Sequence, residues 1–162
     1  MRIHVPPTTS PWLDSPLRYG RISRWLHWGM GLLFVWQFTG MGLRLALGRT
    51  PLVSFFVGSH ASVGLLLLLL VLVRGAWGLS QRPRRPPHGA GWLGRAAALG
   101  HGALYLLMLV VPTLALVRLY GSGRPFAWFN TLPVFGPGPK QEALMAPANA
   151  VHGPLAWTLL AL

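Results

Sequence analysis

The sequence predicts an all-α integral membrane protein: a four-helix bundle whose fourth helix is incomplete. Three observations predict it. Four long apolar stretches follow one another along 162 residues. Only 10% of the residues are charged, against roughly 25% in a soluble domain. The basic residues stand in short blocks between the stretches, as membrane flanks do. The net charge of +12 sets 14 Lys and Arg against Asp14 and Glu142 alone. Such a balance raises nucleic acid as a partner, but arginines flanking apolar runs rather than coating a polar fold exclude it. The chain has no cysteine, which excludes a disulfide framework, a thiolate zinc site and an iron–sulfur cluster.

Residues 1–20 are rich in Pro and Ser and lack the apolar core of a signal peptide; they are expected to form a loose cytoplasmic tail, followed by a transmembrane domain over 21–162. The first apolar helix is expected at about 25–47, with Arg24 before it and Arg44 and Arg49 at its far end. The second, at about 52–73, contains the unbroken run from Gly64 to Val73. The third is expected at about 96–117. Each has about 20 residues, the length that crosses a hydrocarbon layer of roughly 30 Å, and helices are required because lipid cannot satisfy free backbone groups. A fourth, from Pro147, has only sixteen residues through Leu162 and is expected to continue beyond it. The second loop, Gln81 to His88, is basic and proline-rich; the third, from Tyr120 to Lys140, carries Trp128, Phe129 and Phe135, which suit an interfacial aromatic belt. Arg18, Arg21 and Arg24 share one side with Arg82, Arg84, Arg85 and Arg95, and the positive-inside rule assigns that side to the cytoplasm.

The chemistry lies in the histidines. Ionisable groups inside a bilayer are costly and face a functional interior, and His27, His60, His101 and His152 place one on each of the four segments. A single such residue is as readily a polar side chain bonded to a neighbouring carbonyl; four in succession are not. His60 and His152 fall in the outer half, His27 and His101 in the inner half. Two levels of paired imidazoles suggest two stacked metal centres, and imidazole is a common axial ligand of haem iron. Gly31 and Gly64 each follow a histidine by four residues, hence on the same helix face, where they would clear space for a flat macrocycle; the plainer alternative is close helix packing through small residues. Arg74, about 21 Å beyond His60 along the helix, is either a snorkelling cation at the helix end or a partner for haem propionates.

These residues carry a resemblance. Arg24-Trp25-Leu26-His27-Trp28, Ser59-His60-Ala61-Ser62-Val63-Gly64 with Arg74 beyond, His101-Gly102-Ala103-Leu104-Tyr105-Leu106-Leu107-Met108 through Pro112, and Val151-His152-Gly153 occur in the order found in the bacterial cytochrome b561 group, which includes the cytochrome b subunits of nickel–iron hydrogenases. The Gly121-Ser122-Gly123-Arg124-Pro125 loop followed by Leu132-Pro133 is similar too, and the resemblance covers about residues 18–162. It implies two b haems: an outer one held by His60 and His152, and an inner one held by His27 and a second histidine on helix four. That second residue would lie about fourteen positions after His152, a spacing of roughly 21 Å on a helix, and hence past Leu162. The resemblance implies that His101 is not an iron ligand, whereas depth alone pairs it with His27; iron ligand, quinone contact and structural residue stay open for it. Ala115 stands where members often have Gly, a change expected to affect packing.

The expected function is electron transfer across the bacterial inner membrane through haem b, exchanging electrons with quinone, with His27, His60 and His152 as iron ligands and Arg74 as a cofactor contact. The alternatives are a membrane enzyme oxidising superoxide or quinol, the cytochrome b anchor of a dehydrogenase or hydrogenase with a redox partner subunit, and a cofactor-free membrane scaffold. Membrane lipid and quinone are the expected partners, and nucleic acid is not. An absorption spectrum of the purified protein separates haem-bearing from haem-free readings.

Overall fold

A computed structural model describes residues 10–85 and 91–162. Four helices run α1 (Arg21–Leu47), α2 (Pro51–Gln81), α3 (Gly91–Gly121) and α4 (Glu142–Ala161), with a two-stranded hairpin, β1 (Phe126–Trp128) and β2 (Leu132–Phe135), between the last two. The first three are long and apolar enough to cross a membrane. Many of their large apolar side chains, among them Leu32, Val35, Leu69 and Leu72, are exposed. That much outward apolar surface suits lipid rather than water.

Local signals set the ends. Gly48 closes α1 in a conformation of positive φ, 65°, and its N–H bonds the Arg44 carbonyl; glycine adopts such a φ at no steric cost. The Thr50 hydroxyl accepts from the Val53 N–H at the start of α2, with Pro51 in the first turn. There proline loses nothing, because that N–H has no partner in the helix. Pro112 lies inside α3, and Pro147 and Pro154 inside α4. The observed helices outrun the apolar stretches. α2 continues eight residues past Val73, α3 starts five before residue 96, and α4 starts five before Pro147. Hydropathy marks the part of a helix that lipid must cover, and backbone hydrogen bonding carries the helix beyond it.

α1 packs along α2, α2 against α3, and α3 along α4. The core lies between α1, α2 and α3: Met30, Val63, Leu67 and Val71, with Phe34, Trp36, Tyr105 and Met108 against them. At Gly40 a Cβ would stand 2.8 Å from Phe56 Cβ, and at Gly121 one would stand 2.7 Å from Leu144 Cβ. These two glycines set the close approach of α1 to α2 and of α3 to α4.

Residues 10–20 correct the expectation of a loose tail over 1–20, of which residues 1–9 lie outside the described part. Asp14 is buried, 3% exposed. One carboxylate oxygen accepts from the Gly20 N–H at 2.7 Å and the Ser23 hydroxyl at 2.7 Å; the other accepts from Arg85 Nε at 2.9 Å. The Asp14 N–H donates to Gln81 Oε1, and the Trp77 indole N–H donates to Ser23 Oγ at 2.9 Å. A carboxylate buried this completely must be paired, and meeting its donors docks the segment on the end of α2.

Candidate haem sites between the helices

Two cavities lie one above the other inside the bundle. The first, on the side of the hairpin, is lined by Gln37, His60, Gly64, Pro112, Ala115 and His152, among mostly apolar neighbours, and is a narrow cleft of about 90 Å³. The second, on the side of Arg85, is lined by His27, Gly31, Arg74, His101 and Tyr105 and has a volume of about 470 Å³. The second falls within the roughly 300–1,000 Å³ of cofactor pockets. The histidines expected to share a depth therefore do share a cavity.

On the hairpin side the His60 and His152 rings face each other with centroids 6.3 Å apart and planes at 77°. Two imidazoles on opposite faces of one metal ion, each at a nitrogen–metal distance of about 2 Å, put their ring centres about 6 Å apart. His152 Nδ1 lies 3.1 Å from the Val111 carbonyl oxygen, a contact that fixes the ring and leaves the other nitrogen free, as metal-bound histidines commonly have it. His60 Nδ1 is buried without a hydrogen-bond partner. A Cβ at Gly31 would meet nothing within 4 Å, and one at Gly64 only Gln37 Nε2, at 3.6 Å. Neither glycine permits a close helix contact; each keeps a cavity open beside its histidine. Among the described residues no group of three or more His, Cys, Asp or Glu could hold a metal ion. A porphyrin supplies four nitrogens of its own and asks the protein for two. Two opposed imidazoles, an orphaned ring nitrogen and clearing glycines thus fit a haem.

On the arginine side, the Arg74 guanidinium carbon lies 5.7 Å from the Tyr105 ring centroid. Arg74 also lines, with Tyr19, Ser23, Arg24, Trp77, Arg85, His27, His101 and Tyr105, a polar pocket continuous with the second cavity. Arg74 therefore faces the cavity rather than lipid. His101 Nδ1 is 2.7 Å from the Ala97 carbonyl oxygen of its own helix.

Two features were missed by sequence reasoning. Trp128 and Phe129 do more than line an interface: the Trp128 indole N–H donates to the Ser62 carbonyl and the Phe129 N–H to Ser62 Oγ, both at 2.9 Å. The hairpin is thereby pinned two residues from His60, with Phe129 and Asn130 at positive φ, 46° and 59°, in its turn. Gln37 is the other. It donates from Nε2 to the His60 carbonyl at 3.0 Å, while its Oε1 is buried and unpaired.

A family model described as prokaryotic cytochrome b561 matches residues 18–162. The chain is 28% identical over 160 residues, 92% of its own length and 80% of the relative's, to cytochrome b561 homolog 2 of Escherichia coli (strain K12).

Proposed function

This chain belongs to the prokaryotic cytochrome b561 family, and from that premise we propose that it carries electrons between two b-type haems, the first held by His60 and His152. Membership makes it a b-type haem protein of electron transfer in a bacterial membrane. The number of haems, their ligands and the exchange with quinone are our reading. The observation that carries it is the opposed pair of imidazoles, 6.3 Å apart between centroids.

When bound, haem supplies one-electron chemistry, and the protein contributes orientation, burial and charge. In this reading His60 and His152 ligate the haem of the hairpin side. The Val111 carbonyl orients the His152 ring, and Gly64 leaves room beside His60. On the arginine side His27 is one ligand, with Gly31 clearing the macrocycle and Arg74 meeting propionate carboxylates. The polar pocket beside it, with Tyr19 and His101 on its walls, offers a hydroxyl and an imidazole partner for a quinone carbonyl. Arg24, Arg82, Arg84, Arg85 and Arg95 gather at the same end, which supports a cytoplasmic N-terminus.

The test is haem content. His60→Ala and His152→Ala should each leave the protein inserted and remove the same one of two b-type centres in the reduced-minus-oxidised spectrum. Unchanged haem per protein in either variant would refute the ligand pair.

A further inference from the structure

The Gln37 side chain reaches across from α1 to His60. Its Nε2 donates to the His60 carbonyl at 3.0 Å. Its Oε1 is buried and unpaired, and so is His60 Nδ1. Both residues line the same cleft, with Gly64 between them on the α2 face: a Cβ there would be 3.6 Å from Gln37 Nε2. A buried amide oxygen without a donor is costly, and so is a buried imidazole N–H without an acceptor. The two atoms are complementary in kind and belong to residues already hydrogen-bonded to each other. Among the described residues the other polar side chain lining this cleft is His152, whose Nδ1 is taken by Val111.

We propose that Gln37 is the positioning residue of His60: when His60 binds iron through Nε2, the Gln37 carbonyl oxygen accepts from the His60 Nδ1–H, directly or through one water. This rests on the reading of His60 as a haem ligand. The bond fixes the tautomer and the ring plane. It also makes the imidazole more electron-rich, as outer partners of metal-bound histidines do, and so favours ferric over ferrous iron. Gln37 thus holds the reduction potential of the hairpin-side haem low, while its amide N–H anchors the backbone that carries the ligand.

The test is a redox titration of the haem-loaded protein, with haem per protein measured alongside. Gln37→Leu should keep both haems and shift the ferric–ferrous equilibrium of one about tenfold toward ferrous, the worth of one hydrogen bond of this kind; that is 59 mV upward for a one-electron couple. Gln37→Glu, which keeps an oxygen acceptor at the same reach, should titrate at or below the wild-type potential. Leu and Glu variants shifted alike, or a Leu variant with unshifted potentials, would overturn the proposal. If Gln37→Leu loses the haem, Gln37→Glu decides: haem kept at wild-type or lower potential supports the role, and haem lost in both reduces Gln37 to packing. His60→Ala is titrated in parallel. Haem retained there overturns the ligand reading itself, whereas haem lost there with Gln37 silent overturns this inference alone.

Discussion

Removing the Asp14 carboxylate should undock residues 10–20 and open one wall of the arginine-side pocket. The side chain is fully buried, whereas that of Arg85 is 29% exposed, so the two partners are not equivalent. Asp14→Ala strands the Gly20 N–H and removes three hydrogen bonds. Breaking a buried pair by deleting one partner costs about 3–5 kcal/mol, and we take about 3 because Arg85 can turn to solvent. At 1.4 kcal/mol per tenfold, the undocked population rises by roughly a hundredfold. Asp14→Asn keeps an acceptor and loses the charge, for about 1–2 kcal/mol. Arg85→Ala leaves the buried carboxylate with Gly20 and Ser23 but without its counter-charge, for about 2–3 kcal/mol. Hydrogen exchange of residues 10–20 in detergent or nanodiscs measures the ladder directly. The pH dependence has a definite sign. Burial pushes the Asp14 pKa up, but hydrogen bonds from Ser23, the Gly20 N–H and Arg85, with the Arg85 charge, bring it below the ordinary 3.8. A carboxyl depressed on folding stabilises the docked state fully above its unfolded pKa and loses that contribution as pH falls through the folded value. Protection should therefore be flat from about pH 5 to 8 and weaken only below about 4, and Asp14→Asn should abolish the acid dependence. Wild-type exchange rates in Asp14→Ala would refute the account.

Two further outcomes are expected. Gly40→Val should lower thermal stability by about 1–3 kcal/mol through overpacking against Phe56, while Gly64→Val should leave stability of the haem-free protein nearly unchanged and cut haem occupancy; the reverse pattern would contradict the roles given to these glycines. A reporter fused after Pro87, which lies outside the described residues, should be active only in the cytoplasm, and one inserted at Thr131 only in the periplasm; inverted activities would reverse the orientation.

Helices and histidine levels were legible because both follow from one rule, the cost of polar groups in lipid. That cost makes spans apolar and makes each intramembrane histidine conspicuous. The same rule applies to Gln37, an amide within the first apolar stretch, and could have found it. Nothing local could have found the dock of Asp14. Its partner Arg85 is 71 residues away, and the hint was that Asp14 is one of two acids in a basic chain. Proline misled at α4: Pro147 looks like a helix start, but an interior proline is tolerated in membrane helices where neighbours satisfy the freed carbonyl. Trp128 looked interfacial because composition cannot show that its indole N–H reaches Ser62.

The two cavities share a wall made by Phe34, Phe38, Met108 and Leu159, which line both. These four come from α1, α3 and α4, and all are apolar. A layer of apolar side chains therefore lies between the two cavities, and in the proposed two-haem reading electrons would cross it. The charges on the two sides differ. Among the described residues no arginine or lysine lines the hairpin-side cleft, whereas Arg24, Arg74 and Arg85 line the pocket at the other end. In a low-dielectric interior such a difference acts over several ångströms, and positive charge favours an arriving electron. In the proposed orientation the arginines thus draw electrons inward, against a membrane potential that opposes that movement by about 2.3 kcal/mol per 100 mV for a full crossing. Haem propionates would offset part of the pull, which gives Arg74, the arginine that lines both the second cavity and its polar extension, a second task besides binding: to keep that end of the path from becoming net negative.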